Sequence, residues 1–272
     1  MKIKARGITV NVRIWNGHLE QTIVMLHGFT GSAATWNTVA ASLTDYRVIA
    51  IDLIGHGETD SPQDASAYSM EEQVQVLDEL FQQLNLQAFI LLGYSMGGRV
   101  ALSYATAFPM RISMLILESA SPGLKTAEER TARQISDEEL AEKIEHNGIE
   151  SFVNKWENIP LFATQKRLAQ DVQQVVREER LSQCEIGLAN SLRGMGTGAQ
   201  TSLWPCLEKL EMPITLITGE LDEKFCKIAA EMQVLLQNGQ HIVVKNVGHA
   251  IHVENPEQFA TIVKDAIKIK IS

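Results

Sequence analysis

Short β-branched and aliphatic runs, each closed by turn residues and followed by a segment of helical spacing, recur along the first half of this chain. They are Thr22 to Leu26, Arg47 to Ile51, Ala88 to Leu92 and Ile112 to Leu117, with Met70 to Leu84 and Met96 to Phe108 as the longest helical segments between them. Strands that alternate with helices bury their apolar faces in a parallel sheet covered on both sides, so an α/β architecture is expected. From Pro122 to about Leu203 the pattern changes to charged amphipathic helices, including Asp137 to His146 and Leu168 to Arg180. The alternation then resumes with an Ile214 to Thr218 strand, a helix from about Lys224 to Leu235, a His241 to Lys245 strand and a terminal helix opened by Pro256. Residues 1–121 and 204–272 are therefore read as one sheet-centred core interrupted by a helical cap at 122–203. Met1 to Val10 reads as an alternating, strand-like start rather than the apolar segment of a secretion signal.

Composition narrows the partners. Lys and Arg number 24 against 33 Asp and Glu among 272 residues, a net charge of −9. With no basic run or stripe, nucleic acid is not expected as a partner. No apolar run approaches the ~18–20 residues that span a bilayer, so no membrane association is expected either. Cys184, Cys206 and Cys226 are an odd set at unrelated spacings, read as reduced thiols of a cytoplasmic protein and not as a metal site. No sequence feature sets an oligomeric state.

The chemistry concentrates at Gly93-Tyr94-Ser95-Met96-Gly97, between an aliphatic strand and a helical segment. A serine on such a tight turn is held in a strained conformation with its Oγ exposed, and the flanking glycines make room for it. The turn His27-Gly28-Phe29-Thr30-Gly31 follows the Thr22 to Leu26 strand in the same way. The backbone N–H groups of Phe29 and Met96 are candidate oxyanion donors. Serine becomes reactive only when a histidine takes its proton and an acid orients that histidine. His249, in the late turn Asn246-Val247-Gly248-His249, is favoured over His252, and His56 reads as a structural loop residue. For the acid, Asp222 follows the Ile214 to Thr218 strand, with Glu220 and Glu118 as rivals. The order Ser95, Asp222, His249 suits loops gathered at the carboxyl edge of one parallel sheet.

Together these features resemble the α/β-hydrolase superfamily over nearly the whole chain, which implies a mostly parallel central sheet flanked by helices, with a helical cap. Finer features resemble the menaquinone-pathway lyases named 2-succinyl-6-hydroxy-2,4-cyclohexadiene-1-carboxylate synthases. These are Gly93 to Arg99, Ser121-Pro122-Gly123-Leu124 with the helix from Glu128 to Arg133, Trp156 with Pro160-Leu161-Phe162, and Leu192 to Gly198. That resemblance implies a small tricarboxylate substrate held by Arg99, Arg133 and Arg180, with Tyr94 and Trp156 lining the pocket, no cofactor and no metal. Arg177 lies close to Arg180 in sequence, and Arg130, Arg177 and Arg193 read as solvated helix faces. Arg99 stands one helical turn beyond Ser95, where a cation is useful beside a carboxylate and costly beside an apolar ester. The implied reaction is pyruvate elimination. A carboxylesterase or C–C bond hydrolase with the same triad is the alternative, and a ligand receptor on a hydrolase shell is a more distant one.

Overall fold

The computed structural model describes residues 1–271. In chain order the elements are β1 (Lys2–Ala5), β2 (Ile8–Trp15), β3 (Thr22–Leu26), α1 (Asn37–Ser42), β4 (Arg47–Ile51), α2 (Met70–Gln83), β5 (Phe89–Tyr94), α3 (Met96–Ala107) and β6 (Ile112–Glu118). Then come α4 (Ala127–Trp156), α5 (Gln170–Leu181), α6 (Glu185–Met195), β7 (Ile214–Gly219), α7 (Glu223–Leu235), β8 (Gly239–Val244), α8 (Ile251–Glu254) and α9 (Pro256–Ile271).

The eight strands form one sheet in the order β1-β2-β4-β3-β5-β6-β7-β8, parallel from β4 to β8. β3, β5 and β7 are buried at every position, as expected where helices cover both faces of a parallel sheet. The strand-like start is not one strand. Arg6 (φ 47°) and Gly7 (φ 85°) break it into an antiparallel hairpin, β1 with β2. Two consecutive positive φ values match the right-handed strand twist, and Gly7 supplies one at no steric cost.

Between β6 and β7 lie α4, α5 and α6, with no strand among the described residues. α4 joins the expected helical stretches Glu128 to Arg133 and Asp137 to His146 and continues to Trp156. Thr126 caps it in a reciprocal capping box with Glu129, and it turns sharply at Gly148 (φ 77°, ψ 167°). This helical segment has its own small core of Ala141, Ile144, Phe152, Val153, Leu188, Ala189 and Leu192, against which Phe29 of the sheet domain packs. No helix among the described residues is long and apolar enough to cross a membrane.

Two buried loops set the platform below the site. Asp52 accepts hydrogen bonds from the N–H groups of Ala33 and Glu58 and from the Asn11 side chain. His27 Nε2 accepts the Leu53 N–H at 3.0 Å, which puts its proton on Nδ1, donated to the Gly28 carbonyl at 2.8 Å. The His56 ring lies 5.1 Å from that of His27. Burial above all, then repulsion from His27, pushes His56 down to about 3, and burial likewise lowers His27. Both histidines fold as neutral rings. The unfolded chain takes up protons below about pH 6.5 that the folded chain refuses, so stability falls as pH drops from about 6.5 toward 3. Urea unfolding between pH 7.5 and 5 is expected to show a loss of up to about 1.4 kcal/mol per pH unit from His56, with a shallower slope in His56→Gln. An unchanged slope in that variant excludes His56 as a source of the acid sensitivity.

Candidate active site

β5 ends at Tyr94 and α3 begins at Met96, so Ser95 alone makes the turn between them. Its φ of 51° and ψ of −107° lie outside the ordinary range for a residue with a side chain, a strain of about 1–3 kcal/mol that the packing around it must hold. Gly97 makes that packing possible, because a Cβ there would collide with the Leu26 and His27 carbonyls at the end of β3. The Ser95 N–H donates to the Glu118 carbonyl at 2.9 Å, and its own carbonyl accepts from Arg99 at 3.0 Å.

Ser95 Oγ lies 3.0 Å from His249 Nε2, and His249 Nδ1 lies 2.6 Å from Asp222 Oδ2. An ionised carboxylate only accepts, so Nδ1 carries the proton and Nε2 is left to accept from the serine. Asp222 and His249 are 7% and 1% exposed. Asp222 is also the N-cap of α7, and the rings of Phe225 and Tyr94 pack on His249 with centroids at 4.6 and 5.3 Å. Among the rivals, Glu220 accepts the Asn246 N–H instead, and Glu118 is engaged with His252.

Phe29 follows β3 and Met96 opens α3, so both N–H groups sit at the carboxyl edge of the sheet beside Ser95. Among the described residues no protein acceptor takes either one. Met96 is also the positive end of a 12-residue helix. The pair suits an oxygen that gains negative charge.

Ser95, His249, Phe29, Met96, Tyr94, Arg99, Arg133 and Trp156 all line one cavity of about 220 Å³ roofed by the helical segment. Arg99 is 8% exposed, and its Nη1 donates to the Met195 carbonyl at 2.7 Å and to Gln200 Oε1 at 2.8 Å. Both acceptors are neutral, and among the described residues no protein group takes Nε or Nη2. Burial, and secondarily Arg133, lowers the guanidinium to about 10, so it remains a cation at neutral pH. Arg133 is less free, because its Nε pairs with Asp137 at 2.7 Å. Trp156 stands edge-on to Phe29 and Phe162.

Arg180 departs from its expected place. It lines adjoining cavities, the larger about 710 Å³, and not the one that holds Ser95. Its guanidinium lies over the Phe162 ring at 4.6 Å and donates to Gln165 at 3.0 Å, and its smaller cavity shares Phe29, Tyr94 and Phe162 with the serine's. Arg177 faces the same larger cavity, paired with Glu157. That cavity exceeds the other in size but contains none of Ser95, His249 or Asp222. Arg193 pairs with Glu138 and Glu145 at the surface. Among the described residues, no three or more His, Cys, Asp and Glu are placed to hold a metal ion.

Sequence reasoning missed two residues. Lys224 lines the Ser95 cavity, and its place two residues after Asp222 could have signalled it. Gln200 carries no local signal, because its role is a contact with Arg99, 101 residues earlier.

The α/β-hydrolase fold family matches residues 21–256. A Bacillus subtilis protein provisionally named 2-succinyl-6-hydroxy-2,4-cyclohexadiene-1-carboxylate synthase is 47% identical over 267 residues, spanning 94% of this chain and 97% of that one. A synthase of the same name from Enterobacter sp. (strain 638) is 32% identical over 92% of each chain. The solved structure of MenH from S. aureus superposes with a TM-score of 0.92 at 38% identity, covering 96% of this chain and 99% of its own.

Proposed function

Because the chain belongs to the α/β-hydrolase family, and within it to the 2-succinyl-6-hydroxy-2,4-cyclohexadiene-1-carboxylate synthases, we propose that it is a cytoplasmic lyase of menaquinone biosynthesis. It eliminates pyruvate from 2-succinyl-5-enolpyruvyl-6-hydroxy-3-cyclohexene-1-carboxylate. The observation that carries this reading is one cavity in which Ser95, backed by His249, lies with an Arg99 that forms no direct ion pair among the described residues, the Asp137 carboxylate acting on it only through space. An ester pocket has no use for that cation, whereas a polycarboxylate substrate does.

In the proposed reaction His249 takes the Ser95 hydroxyl proton, and Ser95 Oγ removes the ring proton next to the succinyl ketone. The electron pair of that C–H bond moves toward the ketone, whose oxygen gains charge against the N–H groups of Phe29 and Met96. Removing one such donor typically costs about 10² to 10³ in rate. Collapse through the ring alkene breaks the C–O bond, and pyruvate leaves as its enolate and takes up a proton. Water is neither consumed nor formed. Asp222 holds the His249 tautomer and steadies the imidazolium formed in passing. Residues 122–203 act as a cap that shields the cavity from water. Arg99 receives one carboxylate on its free edge, Arg133 a second at the mouth, and Tyr94 and Trp156 flank the ring. Arg180 serves the third carboxylate from the adjoining cavity that shares Phe29, Tyr94 and Phe162 with this one.

The test is incubation of the purified protein with the precursor in heavy-oxygen water. Pyruvate and the cyclohexadiene are expected in equal amounts, with no catalytic label in either once spontaneous ketone exchange is subtracted. Label in a carboxylate, or a substrate-derived ester on Ser95, rejects elimination in favour of the hydrolase alternative.

A further inference from the structure

One buried acid touches both arms of the site without belonging to the Ser95–His249–Asp222 chain. Glu118 ends β6 opposite Tyr94 in the strand register and is fully buried. Its main-chain carbonyl accepts the Ser95 N–H at 2.9 Å. Its carboxylate accepts the His252 main-chain N–H at 3.1 Å, and the His252 Nδ1 lies within 3.0 Å of both carboxylate oxygens. His252 follows His249 by three residues. Its Nε2 lies 3.1 Å from Thr35 Oγ1, and its ring packs on Trp36 at 4.4 Å and on Tyr94 at 4.5 Å.

Ser95 and His249 are 154 residues apart in sequence, so nothing local fixes the 3.0 Å between them. The turn carrying His249 is short and irregular, and a displacement of about 1 Å at a reacting pair can cost 10² in rate. Glu118 joins the two segments through one rigid strand end: its backbone holds the nucleophile and its side chain holds the start of α8, just past the base. Asp222 already occupies His249 Nδ1, and Ser95 faces Nε2. Glu118 therefore does not compete for the role of acid. We propose that Glu118, through His252, is a positioning residue that sets the Ser95–His249 distance. This rests on the assignment of Ser95 and His249 as nucleophile and base, and not on the identity of the substrate.

The test compares the full-length protein with Glu118→Met, which keeps the length but loses the acceptors, and Glu118→Gln, which keeps an oxygen for the His252 N–H. Two rates are read per folded molecule: covalent labelling of Ser95 by an alkyl fluorophosphonate, and kcat for the enolpyruvyl precursor. Glu118→Met is expected to slow both by about 10- to 100-fold with KM little changed. Glu118→Gln should restore each to within about threefold of wild type. Wild-type rates in folded Glu118→Met, even with a lowered melting temperature, reduce Glu118 to a structural residue and overturn the proposal. Equal damage from Glu118→Gln overturns it too, because the charge and not the hydrogen bonds would then matter. If Glu118→Met does not fold, Glu118→Asp decides: withdrawing the carboxylate by one methylene must slow both rates at least tenfold. Normal labelling of a wild-type protein that leaves the precursor untouched rejects the proposed reaction while still deciding the role of Glu118.

Discussion

Ser95→Ala and His249→Ala are each expected to lower precursor turnover by about 10⁴-fold or more, and the double variant no further than either one. The reason is geometric. Oγ, Nε2, Nδ1 and Oδ2 form one hydrogen-bonded line of 3.0 and 2.6 Å contacts, so removing any member stops the same proton transfer. Asp222→Asn should cost about 10³ to 10⁴, because an amide cannot enforce the His249 tautomer with its proton on Nδ1. Single-turnover kinetics measures each loss, and circular dichroism confirms the fold. A nearly silent Asp222→Asn beside a severe Glu118→Gln would transfer the role of acid to Glu118.

The second large effect is one of selectivity. Arg99→Ala should cut kcat/KM for the precursor by about 10- to 150-fold, the loss of one charge-assisted contact worth about 1.5–3 kcal/mol. A net charge of −9 repels an anionic substrate at long range, so affinity has to come from close, oriented cations. Under the proposed reading Arg99 supplies one: Met195 and Gln200 hold one amino group, and among the described residues no protein acceptor takes Nε or Nη2. Arg99→Lys should recover only part of the loss, since an ammonium lacks the planar fork. Hydrolysis of a neutral aryl ester, where measurable, should change little in either variant. If Arg99→Ala impairs both substrates equally, its role is to join α3 to the Met195–Gln200 segment, and the carboxylate assignment fails.

The positions of Ser95, Phe29 and Asp222 were legible in sequence because each sits within three residues of the end of a strand whose aliphatic run marks it. A strand-to-helix turn with glycines at 93 and 97 leaves a serine little choice of conformation. The same local logic found the parallel sheet. It failed at Arg6–Gly7, where an alternating pattern continues across a hairpin.

What the sequence by itself determined is the succession of strands and helices, and hence the sheet edge at which Ser95, Asp222 and His249 meet. These follow from period, turn chemistry and apolar burial, all properties of a few neighbouring residues. The tertiary structure decided the rest. It paired His249 with Asp222 and gave Glu118 to His252, tied one amino group of Arg99 to Met195 and Gln200, paired Arg133 with Asp137, and laid Arg180 over the Phe162 ring. Side chains of the same type differ here only in which distant group reaches them first. A charged or polar group within the protein takes its role from the partners that satisfy it, and those partners arrive only when the chain has folded.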